Sequence, residues 1–204
     1  PFAIKGGGTR MPPLDVAETL EISALSGITL YEPGALTLVA QAGTSIAEIE
    51  AALSAENQRL AFEPSDLRDV LGTSGASTIG GVAAAKASGP RLISVGACRD
   101  FMLGVRFVDG AGTVVKNGGR VMKNVTGYDL VKLMSGAHGA LGVLSEVSLK
   151  VLPKVEMQLT LRIDGLNAER AVAAMSAALG SPYDVSGAAR DVGGAVLLRL
   201  EGFE

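Results

Sequence analysis

Five segments that are rich in glycine and almost free of large side chains separate the β-prone runs of this chain. The first reads Gly-Gly-Gly-Thr-Arg at residues 6–10 and follows a short apolar run, Phe2–Lys5. Without Cβ atoms, backbone amides can close on an anion, and Thr9 and Arg10 add a hydroxyl group and a charge. A plain flexible turn is the alternative that this segment leaves open by itself.

The second segment, Ser74–Ala85, predicts a helix that opens at Gly80-Gly81, with Ser77 or Thr78 as its N-cap. Amides at a helix N-terminus attract phosphate, and the two glycines would let it approach closely. We therefore expect a branched side chain at Gly80 or Gly81 to exclude the phosphate. A helix of small residues that simply packs tightly against its neighbours is the alternative.

The other three segments cover residues 87–100, 123–129 and 135–142. Loops of this kind, spread over most of the chain, indicate a long ligand in an extended groove, and a dinucleotide has that shape. The sequence contains neither the Rossmann fingerprint, nor the P-loop, nor the nucleophile elbow. The candidate counter-charges for a pyrophosphate are Arg10, Lys86, Arg91 and Arg99.

Composition narrows the function further. Eighteen basic and 21 acidic residues leave no positive excess for broad nucleic-acid binding. One cysteine, Cys98, and one histidine, His138, argue against a disulfide framework and against a typical zinc, iron–sulfur or haem site, so no metal site is predicted. We expect His138 to be a loop or partner-facing residue, and no residue is assigned as catalytic.

The apolar runs are too short to span a membrane, and no targeting signal is evident. We therefore expect a cytoplasmic protein without direct membrane insertion. Peripheral association with the inner membrane through a complex is the alternative. Because the chain starts at Pro1 and stops at Glu204 directly beside strand-like runs, we expect it to be part of a longer protein.

Periodicity and capping residues predict a mixed α and β architecture. Ser45 and Glu48 form a capping-box pattern at the start of a helix that ends near Glu56. The sequence also predicts a hairpin over Met102–Lys116 and a half-buried strand over Val143–Val151. After Pro153 it predicts a strand at Met157–Ile163, a helix from Asn167 to Leu179 with Asn167 as its N-cap, and a strand at Ala195–Glu201. This last β-α-β piece reads as the opening of a second domain.

These motifs, taken in order, resemble a known family. GGGTR, STIGGVAA, ASGPR, the run from Arg99 to Leu130 and the run LMSGAHGALGVLSEVSLKVLP are similar to the flavin-binding domain of the vanillyl-alcohol-oxidase/p-cresol-methylhydroxylase superfamily. Within it, they most resemble the FAD-binding E subunits of bacterial glycolate oxidases. The resemblance covers about Phe2–Pro153. It implies an α+β fold in which two subdomains enclose FAD within residues 1–154, followed by a partial cap, the substrate-side domain, over residues 155–204.

The same resemblance implies a cofactor-binding role for residues in all five segments. They are Gly6, Gly7, Gly8, Thr9 and Arg10 at the pyrophosphate; Ser77, Thr78, Ile79, Gly80 and Gly81 at the second phosphate loop and ribityl side; Ser88, Gly89, Arg91, Gly96, Arg99 and Asp100 along the flavin; Lys123, Asn124, Gly127 and Tyr128 on the adenine or phosphate side; and Gly142, Val143 and Leu144 through their main chain.

Two departures from the family pattern bear on chemistry. Relatives that tether FAD covalently often carry a histidine in the first loop, where this chain has Thr9 and Arg10, so the resemblance implies non-covalent FAD. Catalytic relatives read Gly-Ser-Glu-Gly-Thr-Leu-Gly where residues 136–142 place His138 and Ala140 in the acid and threonine positions. Their histidine-rich substrate site has no counterpart in this sequence.

The function implied is that of an FAD-binding subunit of a 2-hydroxy-acid oxidoreductase, converting glycolate to glyoxylate and passing electrons to an iron–sulfur subunit. A second flavin subunit is the other expected partner, and a small 2-hydroxy acid is the expected substrate. Two alternatives stay open: a non-catalytic FAD-binding scaffold or assembly subunit, and an independent FAD-linked enzyme such as a D-lactate dehydrogenase.

Overall fold

The structure, a computed structural model, describes residues 2–10, 18–120 and 127–202. Its strands are β1 (Phe2–Lys5), β2 (Glu18–Glu21), β3 (Ile28–Glu32), β4 (Thr37–Gln41), β5 (Gln58–Arg59), β6 (Met102–Val108), β7 (Val114–Gly118), β8 (Val143–Lys150), β9 (Leu152–Pro153), β10 (Met157–Ile163), β11 (Val185–Arg190) and β12 (Val196–Gly202). Its helices are α1 (Ile46–Ala55), α2 (Arg68–Leu71), α3 (Ile79–Ala84), α4 (Leu92–Val95), α5 (Cys98–Phe101), α6 (Leu130–Met134) and α7 (Ala168–Leu179).

A five-stranded antiparallel sheet in the order β3-β4-β8-β6-β7 forms the centre of the fold. Between β4 and the central strand β8, Leu38 pairs with Leu149 and Ala40 with Val147, and all four side chains are fully buried. Val147 and Leu149 of β8 are buried as the predicted alternation requires, but Ser148 and Leu144, which it places on the opposite face, are buried as well. A register shift between Arg106 and Phe107 on β6 lies opposite this part of β8, and such a bulge changes which residues face the core.

Helix α1 buries its apolar face in the main hydrophobic core and contacts β5. Ser45 Oγ accepts a hydrogen bond from the Glu48 amide at 3.1 Å, which confirms the predicted N-cap. Ile46, Ile49 and Leu53 lie on the buried face and join the main hydrophobic core. Local capping and spacing thus sufficed to place this helix.

Helix α3 lies against the end of β4. Its N-cap is Thr78, whose Oγ1 accepts a hydrogen bond from the Gly81 amide at 3.3 Å. The Gly80 amide donates to the Ala42 carbonyl at 2.8 Å, and the Ile79 amide donates to Thr44 at 2.9 Å. These bonds fix the start of the helix to the segment that follows β4.

A two-stranded parallel pair, β1 and β2, lies beside this core. The Ile22 amide donates to the Lys5 carbonyl at 3.0 Å, and the Ile22 side chain is buried in the main core. Because Gly6–Arg10 directly follows β1, this pairing sets the position of the first glycine segment.

The C-terminal unit, residues 157–202, consists of the antiparallel sheet β10-β12-β11 and helix α7, with a separate small core around Ala171, Val196 and Leu198. Asn167 Oδ1 caps α7 by accepting from the Arg170 amide at 2.9 Å, as predicted. Strand β11 was not predicted, because Val-Ser-Gly-Ala-Ala-Arg has few bulky β-branched residues and becomes a strand through its pairing with β12.

These elements confirm the predicted α+β class. No helix within the described ranges is both long and apolar enough to cross a bilayer.

Candidate functional site

A cavity of about 1110 Å³ lies between the segment after β1, helix α3 and the loop before β8. Ligand sites in proteins commonly occupy roughly 300–1,000 Å³, so this cavity is large enough for an extended ligand. Its wall includes Gly6–Arg10, Gly72–Gly75, Ala84–Ser88 and His138-Gly139. The first, second and fifth glycine segments, together with part of the third, therefore meet around one space.

The first two segments approach each other so closely that side chains are excluded. A Cβ atom on Gly7 would collide with the Ala76 carbonyl group, and one on Gly75 would collide with the Gly7 carbonyl oxygen. A Cβ atom on Gly6 would lie 2.5 Å from Oγ1 of Thr78. Glycine is thus required at these positions because the two backbones are in contact. This contact favours a fixed binding loop, called the cradle below, formed where Gly6–Arg10 meets Ser74–Gly81, over a plain flexible turn.

The amides of the first segment are available to a ligand. Within the described ranges, no residue accepts a hydrogen bond from the backbone N–H groups of Gly7, Gly8 or Thr9. Gly8 has a φ of +69°, a left-handed conformation that suits glycine and helps successive amides to face one space. This arrangement is typical of an anion site.

The N-terminus of α3 has no amides free to bind a ligand in this way. The expectation that its first amides face a phosphate is wrong, because Ile79 and Gly80 donate to Thr44 and Ala42, and Gly81 donates to the Thr78 hydroxyl. With only six residues, α3 also has little dipole to add. Its contribution to the cavity is a wall of small residues.

Arg10 brings positive charge to the cavity wall. Its Nη2 donates to the Ser65 carbonyl, and its Nε is buried without a hydrogen-bond partner among the described residues. Burial lowers the pKa of Arg10, and Asp66 counteracts part of that shift. A buried donor without a partner is costly, so an acceptor supplied by a ligand would stabilise this side chain.

Several other charged or titratable side chains line the same cavity. Lys5 forms an exposed ion pair with Glu21 at 2.8 Å. Lys86 and His138 both have a φ of +51°, and the His138 amide donates to the Ala84 carbonyl at 3.0 Å. His138 is exposed and faces the cavity, so its prediction as a loop residue is confirmed.

The structure brings twelve of the predicted site residues to the cavity. They are Gly6, Gly7, Gly8, Thr9, Arg10, Ser77, Thr78, Gly80, Gly81, Ser88, Gly142 and Leu144. Their role in binding stays a prediction. Residues that sequence reasoning did not place there include Thr19, Glu21, Ser65, Gly72 and Thr73. The glycine density of Gly72–Gly75 was a usable signal, whereas Thr19 and Glu21 reach the cavity only through the pairing of β2 with β1.

The other predicted residues lie elsewhere. Ile79 is fully buried in the core, and Gly89 packs against Glu63. Arg91 is held among charged residues outside the cavity lining, and Tyr128 is 89% exposed. Gly96, Arg99, Asp100, Gly127 and Val143 also do not line the cavity, and Lys123 and Asn124 lie outside the described residues.

Cys98 does not supply a reactive thiolate. Cys98 is fully buried, and burial raises its pKa to about 12, so the thiol is neutral at ordinary pH. Among the residues that the structure describes, no group of His, Cys, Asp and Glu could hold a metal ion.

Comparison with known protein families decides the identity of this arrangement. The FAD binding domain family matches residues 1–118, more than half of the chain. The chain belongs to this FAD-binding family. FAD is therefore its cofactor. The close-packed glycine cradle, the available amides and the partly buried Arg10, whose Nε has no partner among the described residues, fit the diphosphate of that cofactor. The superfamily resemblance read from the sequence is confirmed.

Curated relatives of this FAD-binding protein include oxidoreductases. It is 40% identical over 187 residues to glycolate oxidase subunit GlcE of Escherichia coli K12, covering 92% of this chain and 51% of that protein. It is 31% identical over 154 residues to D-lactate dehydrogenase of Anaerostipes hadrus, covering 76% of this chain and 31% of that enzyme. The chain thus spans about half, or less, of the length of these relatives.

A solved structure shows the same fold. Alkyldihydroxyacetonephosphate synthase matches with a TM-score of 0.75 at 17% identity, covering 98% of this chain and 42% of that one. At this identity, the likeness concerns the fold of the FAD-binding protein alone.

Proposed function

We propose that this chain is the FAD-binding part of a 2-hydroxy-acid oxidoreductase subunit whose substrate is glycolate and whose product is glyoxylate. The observation that carries the proposal is the cradle in which Gly6–Arg10 meets Ser74–Gly81 around one cavity. The E. coli relative, named as a glycolate oxidase subunit, supports the choice of substrate.

In this proposal, the amides of Gly7, Gly8 and Thr9 and the guanidinium of Arg10 hold the FAD diphosphate. Gly81 and Ser88 line the wall beside the cofactor, and the Cβ-free contact between the first two segments keeps the cradle narrow. When bound, FAD supplies the electron-accepting chemistry. The cofactor is non-covalent, since the first segment carries Thr9 and Arg10 where a tethering histidine would lie.

Assembly and domain division belong to the same proposal. Since a relative is named as an oxidase subunit, we assign this chain to a complex with a second flavin subunit and an iron–sulfur subunit that receives the electrons. Residues 1–154 form the FAD-binding domain, and residues 155–204 begin the substrate-side cap. The complex is cytoplasmic, and any contact with the inner membrane is peripheral.

A non-catalytic, FAD-holding subunit is the second candidate. It is favoured by the scarcity of acid–base groups in the cavity: Glu21 is paired with Lys5, and His138 is the single histidine of the chain. A separate FAD-linked dehydrogenase is the third, supported by the Anaerostipes hadrus relative.

One experiment separates these candidates. The full-length protein is purified with its partner subunits, its visible spectrum is recorded, and the flavin of this subunit is followed anaerobically after glycolate or D-lactate is added. Bleaching by glycolate supports the oxidase proposal, and bleaching by D-lactate alone supports the dehydrogenase. A flavin that stays oxidised while the complex turns over supports the scaffold, and a protein that cannot take up FAD contradicts all three.

A further inference from the structure

Five charged residues meet where the C-terminal unit contacts the rest of the protein. This ionic cluster consists of Arg59, Glu63, Arg91, Arg199 and Glu201. Arg199 and Glu201 lie on β12, whereas the other three belong to the larger part of the fold. The cluster therefore joins two units that have separate hydrophobic cores.

Glu201 is the centre of the cluster. Its side chain is only 4% exposed and forms ion pairs with Arg91, with Arg59 at 3.0 Å and with Arg199 at 3.5 Å. Arg199 Nη2 also donates to Glu63 at 2.7 Å. Three guanidinium groups thus share two carboxylates, so loss of Glu201 would leave Glu63 as the one acidic partner named in the cluster.

Arg91 is held at several points. Arg91 is only 6% exposed. Its Nε donates to the Ala61 carbonyl at 3.1 Å, and its backbone amide donates to Glu63 Oε2 at 3.3 Å. Burial lowers the pKa of Arg91, and the neighbouring charge of Arg59 lowers it further. A guanidinium buried in this way depends on its carboxylate partner.

The segment Ser88–Arg91 connects this cluster to the FAD cavity. Ser88 lines the cavity, and its Oγ accepts a hydrogen bond from the Cys98 amide at 2.9 Å. The Gly89 amide donates to Phe62 at 2.9 Å, and a Cβ atom on Gly89 would collide with the Glu63 carbonyl oxygen. The segment is thus fixed at both ends, by Ser88 at the cavity wall and by Arg91 in the ionic cluster.

The C-terminal unit also packs on this segment directly. A Cβ atom on Gly187, in β11, would lie 3.3 Å from the Cβ of Pro90. Neither β11 nor β12 contributes a residue to the lining of the cavity. The C-terminal unit therefore reaches the wall of the cavity through contacts with segments such as Ser88–Arg91, and not by lining the cavity itself.

We propose that Arg91 and Glu201 are positioning residues: their buried ion pair holds the Ser88–Arg91 wall of the FAD cavity in place from the C-terminal unit. This inference rests on the assignment of the cavity to FAD. Since coupling between sites is reciprocal, FAD binding also stabilises the contact between the two units. The sequence resemblance gave Arg91 a place along the flavin, and this proposal gives it an indirect role instead.

The test compares E201Q, E201D and the matched control D164N. Asp164 also pairs with an arginine of the C-terminal unit, Arg162, but that pair is exposed. FAD affinity is measured by flavin fluorescence, and the environment of the bound flavin by visible circular dichroism. E201Q should weaken FAD binding about tenfold, a loss of the size typical of coupled sites, and should change the dichroism at saturating FAD. E201D should retain part of the wild-type FAD affinity and dichroism, and D164N should leave the affinity and the dichroism unchanged.

Folding is checked separately by thermal unfolding without FAD. A purely structural role would lower the unfolding temperature of E201Q and leave the affinity and dichroism of the folded protein unchanged, and that result would overturn the proposal. A wild-type protein that binds no FAD would overturn the cavity assignment and this inference together, whereas normal binding by both wild type and E201Q overturns the inference alone.

A second measurement needs no variant and covers the case in which E201Q does not fold. In the wild type, FAD should slow amide hydrogen exchange at Gly187–Arg190 and Leu198–Glu201, which do not line the cavity. It should also slow exchange at residues 7–9, which do. Protection confined to the cavity-lining residues would contradict the proposal.

Discussion

A Cβ atom on Gly80 would lie 2.6 Å from the Cβ of Ala42 and 2.7 Å from the Ala42 carbonyl oxygen. Glycine is therefore required here because α3 packs directly on the segment after β4. We expected a branched residue at Gly80 to exclude a phosphate. The structure gives a different reason for its effect, because the added side chain would clash with the protein's own backbone. Gly81 is different, since its Cβ would meet only the Thr78 hydroxyl, at 3.2 Å.

Gly80→Ala should destabilise the protein. Overpacking of a core costs about 1–3 kcal/mol, more than the roughly 1 kcal/mol of helix propensity that alanine gains over glycine. Chemical denaturation without FAD measures the effect. Gly81→Ala is the matched control and should leave the free energy of unfolding within about 1 kcal/mol of wild type. Equal stability of the two variants would contradict the packing argument.

Gly7→Ala should weaken FAD binding more than it weakens the fold. The new methyl group would force the first glycine segment away from Ala76 and widen the cradle. We expect an affinity loss of about tenfold or more, which corresponds to roughly 1.4 kcal/mol, measured by fluorescence titration. Gly34→Ala is the control, because a Cβ there would meet no described residue within 4 Å. Unchanged affinity in folded Gly7→Ala protein would remove the cradle from the FAD site.

Arg10→Gln should reduce FAD affinity by about tenfold, because hydrogen bonds to charged groups contribute about 1.5–3 kcal/mol. The loss should shrink as salt is raised, since ions screen the attraction between the guanidinium and the diphosphate. The FAD affinity of Arg10→Lys should lie between those of the wild type and Arg10→Gln, because lysine keeps the positive charge but lacks the planar guanidinium group. Titrations at two salt concentrations test this, and a salt-independent effect would point to packing instead.

Cys98 should make the fold less stable at alkaline pH. Burial raises its pKa to about 12 in the folded protein from 9.0, so the unfolded state loses its thiol proton first as the pH rises. The contribution of Cys98 is therefore fully present below pH 9 and is lost progressively between pH 9 and pH 12, at about 1.4 kcal/mol per pH unit. Denaturation from pH 8 to pH 11 measures it, with Cys98→Ala as the control that lacks this slope.

The flavin should leave the protein on acid precipitation. With Thr9 and Arg10 in the first segment and a neutral, buried thiol at Cys98, neither position offers a tether for FAD. A yellow supernatant over a colourless pellet is the expected outcome. Colour that stays with the pellet would indicate a covalent bond and would direct attention to His138, the histidine on the cavity wall.

Capping residues and local spacing predicted the helices and most strands. Features that depend on contacts between residues far apart in the sequence could not be predicted in the same way. Ser45 and Asn167 were placed as N-caps, and the cap of α3 was narrowed to Ser77 or Thr78, because a cap depends on the next three residues alone. Strand β11 and the meeting of Gly7 with Ala76 depend on residues far away in the sequence, so composition could only suggest them. No pattern in the neighbouring residues indicated that Arg91 is buried beside Glu201.

The position of β8 in the middle of the central sheet governs how this protein can be made. Since β4 and β6 are both hydrogen-bonded to β8, neither has its inner partner until residue 150 has been synthesised. A nascent or truncated chain that stops near residue 118 would present two long unpaired edges, a known cause of aggregation. Deletion series should therefore retain β8 in full.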